Sequence, residues 1–270
     1  MMKKLLSLLC ITSLFLLACF QEKTAPVEEY DKDENLKSMQ ELAKSEAEKG
    51  DAEAQYRLGV MYLQGYVFSR NYKKAFYWFQ KAAEQGDPNA QHDLGLRYYK
   101  GQGVVQDYTK AFYWFQKAAE QGEPNAPLNL GVMYYRGEGV LQDYKKAFYW
   151  FQKAAEEGRE TAQYFLGVMY YNGEGVRKNY KQAVYWFSKA AEKGQSYAQL
   201  FLGVMYEKKL GTIKDYTKAY MWFDISANLD NPKASKMRDK VAKKMTSEQI
   251  EKAQRMARKW VHKFKKKKNR

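Results

Sequence analysis

Side chains able to do covalent or proton-transfer chemistry are scarce in these 270 residues: two histidines, His92 and His262, and two cysteines, Cys10 and Cys19. A histidine acts as a general base only beside a nucleophile and a group that orients its ring. Neither histidine has such companions at a telling spacing, and no His/Cys cluster has metal-ligand spacing. The glycine pairs Gly101/Gly103, Gly137/Gly139 and Gly173/Gly175 are the remaining candidates, as phosphate cradles. They follow a helical pattern instead of opening one, so the helix dipole there has the wrong sign for an anion. The sequence therefore implies no enzyme, no cofactor and no metal.

The first 19 residues read as a targeting segment. Lys3 and Lys4 precede an apolar run, Leu5 to Leu17, too short for a comfortable membrane span. Leu16-Leu17-Ala18-Cys19 then resembles the bacterial lipobox, in which the cysteine is lipidated and becomes the mature N-terminus; Leu17 departs mildly from its small-residue preference. An ordinary signal peptide cut nearby is the bland alternative. Cys10 lies inside the apolar run, so a processed chain would keep no free thiol for chemistry and no disulfide, as suits export. The expected organisation is a signal peptide over 1–18 and a flexible acidic tether over 19–34. A bacterial envelope location follows, lipid-anchored and facing the periplasm.

The body of the chain is organised by a ladder: Trp78, Trp114, Trp150, Trp186 and Trp222 are spaced by 36. A fixed period of this length means stacked supersecondary units. Each unit carries two helical patterns. In the first, Ala54, Leu58, Met61 and Tyr62 fall on one helix face. Gly59, Gly95, Gly131, Gly167 and Gly203 recur inside it, where glycine costs about 1 kcal/mol relative to alanine. Close packing by a neighbouring helix is the natural reason. The G-x-G turns can end this helix in the left-handed conformation. Asp107, Asp143 and Asp215 suit the N-cap of the second. In that second helix Ala75, Phe79, Ala82 and Ala83 share a face, and the tryptophans are expected to hold the stack together. Pro88, Pro124 and Pro232 stand where a helix start tolerates proline.

The phrase A-x-x-x-L-G-x-x-Y, a G-x-G turn, then A-x-x-W-F-x-x-A-A, resembles the Sel1-like repeat, a longer relative of the tetratricopeptide repeat. Five copies cover residues 51–230. The resemblance implies an all-α fold, a right-handed α-solenoid of stacked antiparallel helix pairs. Unit one lacks the second turn glycine (Gly65-Tyr66-Val67) and unit five the first (Lys209-Leu210-Gly211), as terminal units often depart. Residues 35–50 match a lone second helix, an N-terminal half-repeat. Residues 231–264 read as C-terminal capping helices, the last opened by the capping box Thr246-Ser247-Glu248-Gln249. Residues 265–270 read as a basic tail.

In tetratricopeptide proteins the first helices line a concave groove. Carried across, this implies three rows: Tyr56, His92, Leu128, Tyr164 and Leu200; Leu63, Tyr99, Tyr135, Tyr171 and Glu207; Glu53, Asn89, Asn125, Thr161 and Tyr197. The first and third rows vary between units while scaffold letters repeat, and tyrosine suits interfaces. Plain helix-on-helix packing is the alternative for any of them. The expected function is a non-enzymatic scaffold or adaptor, a monomer that binds a protein or extended peptide. A periplasmic immunity lipoprotein that neutralises a toxic effector is the second reading. A cell-wall or β-lactam hydrolase is remote, because the paired cysteines of β-lactam-acting Sel1-like proteins are missing here.

The charge sum, 46 − 31 = +15, is uneven. Residues 251–270 hold ten Lys/Arg against one acid. A solvated terminus or contact with anionic headgroups fits better than nucleic acid, which an exported protein rarely meets. Cys19→Ala is expected to abolish fatty-acid labelling and to move the protein out of the membrane fraction. Labelling and fractionation that survive the change would refute the lipobox.

Overall fold

The computed structural model describes residues 32–229 and 231–268. The targeting segment, Cys10, Cys19 and the tether as far as residue 31 lie outside them. Thirteen helices and no strand occur among the described residues: α1 (Lys32–Glu48), five pairs, and two closing helices. The first helices of the pairs are α2 (Ala52–Gln64), α4 (Pro88–Lys100), α6 (Ala126–Arg136), α8 (Glu160–Asn172) and α10 (Ser196–Lys208). The second helices are α3 (Tyr72–Glu84), α5 (Tyr108–Glu120), α7 (Tyr144–Glu156), α9 (Tyr180–Glu192) and α11 (Tyr216–Ala227). The closing helices are α12 (Pro232–Ala242) and α13 (Ser247–Lys268). The chain divides into two compact units, 1–42 and 43–270, with the boundary inside α1. The second is an α-solenoid of stacked helix pairs.

Each pair is fixed by one contact. Phe79, Phe115, Phe151, Phe187 and Phe223 are completely buried, each against the mid-helix glycine of its own unit. A Cβ on Gly131 would lie 2.6 Å from the Phe151 ring, and one on Gly203 2.4 Å from Phe223. The tryptophans one residue earlier are only half-buried. They still link units: Trp114 packs on the Phe79 cluster, Trp150 on the Phe115 cluster and Trp186 on the Phe151 cluster.

Turns and caps follow the sequence closely. Asp107, Asp143 and Asp215 cap the second helices, each accepting a backbone N–H at 2.9–3.0 Å. Gly101, Gly137 and Gly173 end the first helices at φ 65°, 71° and 82°. In unit five Lys209 adopts this conformation itself (φ 59°). The second turn glycine serves the joint between units. A Cβ on Gly103 would strike the Tyr72 carbonyl of the preceding unit, and Gly139, Gly175 and Gly211 stand likewise against Tyr108, Tyr144 and Tyr180. Unit five therefore keeps Gly211, while unit one, with no complete unit ahead of it, carries Val67.

A glutamine completes most joints. Gln55, Gln91, Gln163 and Gln199 donate to the carbonyls of Ala47, Ala83, Ala155 and Ala191 at 3.1–3.3 Å. Unit three has Pro127 at that position. Its missing N–H also delays the helix, so α6 begins at Ala126 and Pro124 lies in a turn ahead of it. Pro88 and Pro232 do open their helices.

Two boundaries differ from the sequence reading. Residues 32–34, assigned to the tether, form the start of α1, and Lys265 to Lys268, assigned to the tail, extend α13. Lysines near a helix C-terminus favour its dipole, which allows the last turn to continue. The capping box is formed: the Thr246 N–H donates to Gln249 Oε1 at 3.0 Å and the Gln249 N–H to Thr246 Oγ1 at 3.2 Å.

Gly131→Ala tests the central contact. An unobstructed helix would gain about 1 kcal/mol from it. Here we expect a loss of about 1–3 kcal/mol by overpacking, read from denaturant unfolding. A gain would mean that the Phe151 ring moves aside freely.

Candidate ligand-binding groove

The three anticipated rows lie on the first helices, but they are not equally free. The second row is tied into joints. Tyr99 donates to Glu138 at 2.6 Å and Tyr135 to Glu174 at 2.7 Å, each reaching the turn of the following unit. Burial, then these carboxylates, push Tyr99 up to about 12 and Tyr135 higher still. Leu210 replaces the acid next along, and Tyr171 packs instead on Tyr180 and Phe201. Leu63 joins the first core cluster, and Glu207 meets Lys244 at 3.0 Å.

In the first row, Tyr56, His92, Leu128 and Tyr164 are half-buried, whereas Leu200 is only 7% exposed and offers no free surface. The expectation for Leu200 is corrected accordingly: the last cluster, built on Tyr220, Phe223 and Ala257, closes over it. In the third row Glu53, Asn89 and Tyr197 are exposed, Thr161 is half-buried, and Asn125 is held by Glu123 through its side-chain amide at 2.8 Å.

Sequence reasoning missed the row beside the first: Arg57, Asp93, Asn129, Phe165 and Phe201. The signal was present, because this position changes in almost every copy. It divides the face into two sectors. Units four and five are aromatic there. Phe165 stacks on Phe151 at 4.6 Å and Phe201 on Phe187 at 4.9 Å, while Tyr164 contacts Phe165, Tyr197 and Phe201 at 5.5–6.2 Å.

Units one to three are polar there. The Asn129 amide donates to His92 Nε2 at 2.9 Å, which requires a neutral ring. Burial lowers the His92 pKa, opposed by Glu123 and Asp93. Burial raises Asp93, opposed by His92, Arg97 and the Tyr56 hydroxyl. Burial and then Asp93 hold the Tyr56 phenol well above its ordinary value. Glu123 is occupied by the N–H groups of Asn125 and Ala126 at 2.9 and 2.7 Å.

Arg97 is the largest departure. The other four units have Met61, Met133, Met169 and Met205 at its position. It is 4% exposed, and its Nε and Nη1 are buried without a partner among the described residues. Among the described residues there is also no group of three or more acidic, His or Cys side chains that could hold a metal ion. The face has the makings of a recognition surface, graded from polar to aromatic along the stack.

Helix pairs repeated on one interior, with a first-helix face that varies from unit to unit, define a helical-repeat protein. A family model for the Sel1 repeat matches residues 52–87, 88–123, 124–158, 161–195 and 196–231, and the chain belongs to the Sel1 repeat family. It is similar to a Sel1 repeat protein from Oxalobacter formigenes, with 36% identity over 78% of this chain and 88% of that one and a TM-score of 0.65. It is also similar to a protective antigen of uropathogenic Escherichia coli displaying an SLR fold, with 35% identity and a TM-score of 0.58. That match covers 83% of this chain but 56% of the antigen, so the chain spans little more than half of that protein's length. No curated protein matches the chain.

Arg97→Met restores the residue of the other units. Relieving two buried, unpartnered N–H groups should raise stability by about 1–3 kcal/mol, visible as a higher melting temperature. A lower one would show that Arg97 is satisfied in solution and contributes to the joint.

Proposed function

We propose that this chain is a non-enzymatic envelope lipoprotein, anchored through Cys19, that serves as a scaffold or adaptor. The face of its first helices binds a protein segment in extended form. One observation carries this reading. On a scaffold whose Leu, Gly and Phe interior repeats, one first-helix row changes from the exposed Arg57 and the half-buried Asp93 and Asn129 to the half-buried Phe165 and Phe201. Packing does not require that change, since the same Leu–Gly–Phe interior underlies all five units. Variation on an invariant scaffold is the pattern expected where side chains serve a partner, and stacked repeats offer long binding surfaces. Membership of the Sel1 repeat family, whose repeats typically mediate protein–protein contacts, supports it.

The test pairs two double variants. Tyr164→Ala with Tyr197→Ala strips the aromatic sector. It should weaken capture of a partner, crosslinked in cells from the exposed position 89, by about tenfold or more, as hot-spot aromatics do. Tyr113→Ala with Tyr149→Ala removes two rings that are 51% exposed on the second helices, and should leave capture unchanged. Equal loss in both, or in neither, overturns the groove. A captured partner that proves to be a toxic effector would assign the immunity role in place of the adaptor role.

A further inference from the structure

The closing helix α13 carries a feature that the groove reading does not use. Its apolar side is spent on the stack: Ala253 and Ala257 are buried, Trp260 meets Trp222 at 5.8 Å, and Phe264 lies against Gly194 and stacks on Trp260 at 5.0 Å. This packing fixes which side faces solvent. Arg255, Arg258, Lys259, His262, Lys263, Lys265, Lys266 and Lys267 are all exposed. After Glu251 the helix contains no acid. Of these basic side chains, only Arg255 forms an ion pair with a described residue, reaching Glu251 at 3.4 Å.

Three of them converge. Arg258, His262 and Lys265, at i, i+4 and i+7, share one helix face and line a cavity of about 310 Å³ between α13 and the end of α11. Ala257 and Val261 supply apolar wall, and Asp224 and Asn228 complete the lining. The Asp224 carboxylate is already engaged by Arg238 at 3.1 Å, so it does little to cancel the cations. The result sets the cations Arg258 and Lys265 beside an apolar wall, on a helix whose other side packs on the stack. A soluble anion would use only the cations, whereas an anion carrying its own apolar portion uses both.

We propose that this cavity binds the phosphate of an anionic phospholipid headgroup, with the first methylenes of an acyl chain against Ala257 and Val261. In this arrangement α13 docks the end of the solenoid on a membrane surface. Attraction of basic side chains to anionic leaflets is the physical basis. The site stands apart from the groove reading, and its failure would leave that reading intact.

The test uses the full chain with vesicles of phosphatidylcholine, with and without one quarter phosphatidylglycerol. Binding should favour the anionic vesicles and weaken with salt. Arg258→Gln with Lys265→Gln should reduce anionic-vesicle binding by roughly thirtyfold and leave partner capture unchanged. Lys233→Gln with Lys236→Gln, an equal charge loss on exposed positions of α12, should change it less than about twofold. Groove variants should bind vesicles like the wild type. Equal loss from both lysine-containing pairs would reduce the effect to net charge and overturn the site. Complete competition by millimolar inorganic phosphate would make it a soluble-anion site, and preferential binding of duplex nucleic acid would replace the membrane as partner. Either result overturns the proposal.

Discussion

The close approach of a phenylalanine ring to bare helix backbone is the contact on which the solenoid depends. Five times a glycine sits inside a first helix, where it costs helix stability, and five times a completely buried phenylalanine fills the space a Cβ would take. Burying such a ring is worth several times the intrinsic cost of the glycine. The approach sets the spacing and tilt of each pair. The turn has little choice after that: the first helix must stop within one residue, and a left-handed residue stops it. Lys209 adopts that conformation without being glycine, so the demand comes from the fold and not from the residue.

Joints between pairs use a different set of contacts, and these are polar or backbone-close. A turn glycine lies against the first residue of the preceding unit's second helix, and a glutamine satisfies a carbonyl at that helix's end. Open carbonyls at helix ends need partners, so a buried glutamine is retained at four of the five positions. Pro127 breaks the series, and there Glu123 accepts from the N–H groups of Asn125 and Ala126 at the start of α6. The polar cluster of His92, Asp93 and Arg97 lies in unit two, next to this altered joint. Sequence departures thus concentrate in one stretch of an otherwise regular stack. In a repeat protein each unit contacts only its neighbours, so local irregularity is tolerated without disturbing distant pairs.

Much of this was legible in the residues. The period gave the architecture, the glycine and aspartate positions gave the turns and caps, and the half-repeat and capping box gave the ends. The candidate face was less legible. Tyr99 and Tyr135 look like free interface tyrosines in sequence, but their hydroxyls reach glutamates in the turn of the following unit, a contact made only once the units stack. The tryptophan ladder shows the same limit. Tryptophan marks the repeat most visibly, yet the half-buried Trp78 and its counterparts carry less of the pair than the phenylalanines beside them.

The sequence by itself determined the helix pairs, their number and their order, because period and local propensity act within a few residues. Tertiary structure decided which side chains remain available. Leu200 and Tyr164 hold equivalent positions, and one is buried beneath the closing helices while the other stays half-exposed. Lys265 to Lys268 read as part of a basic tail in one dimension. In three they continue the closing helix, whose apolar side packs on Trp222 and Gly194. Burial depends on which elements end up adjacent, and that is a property of the whole stack.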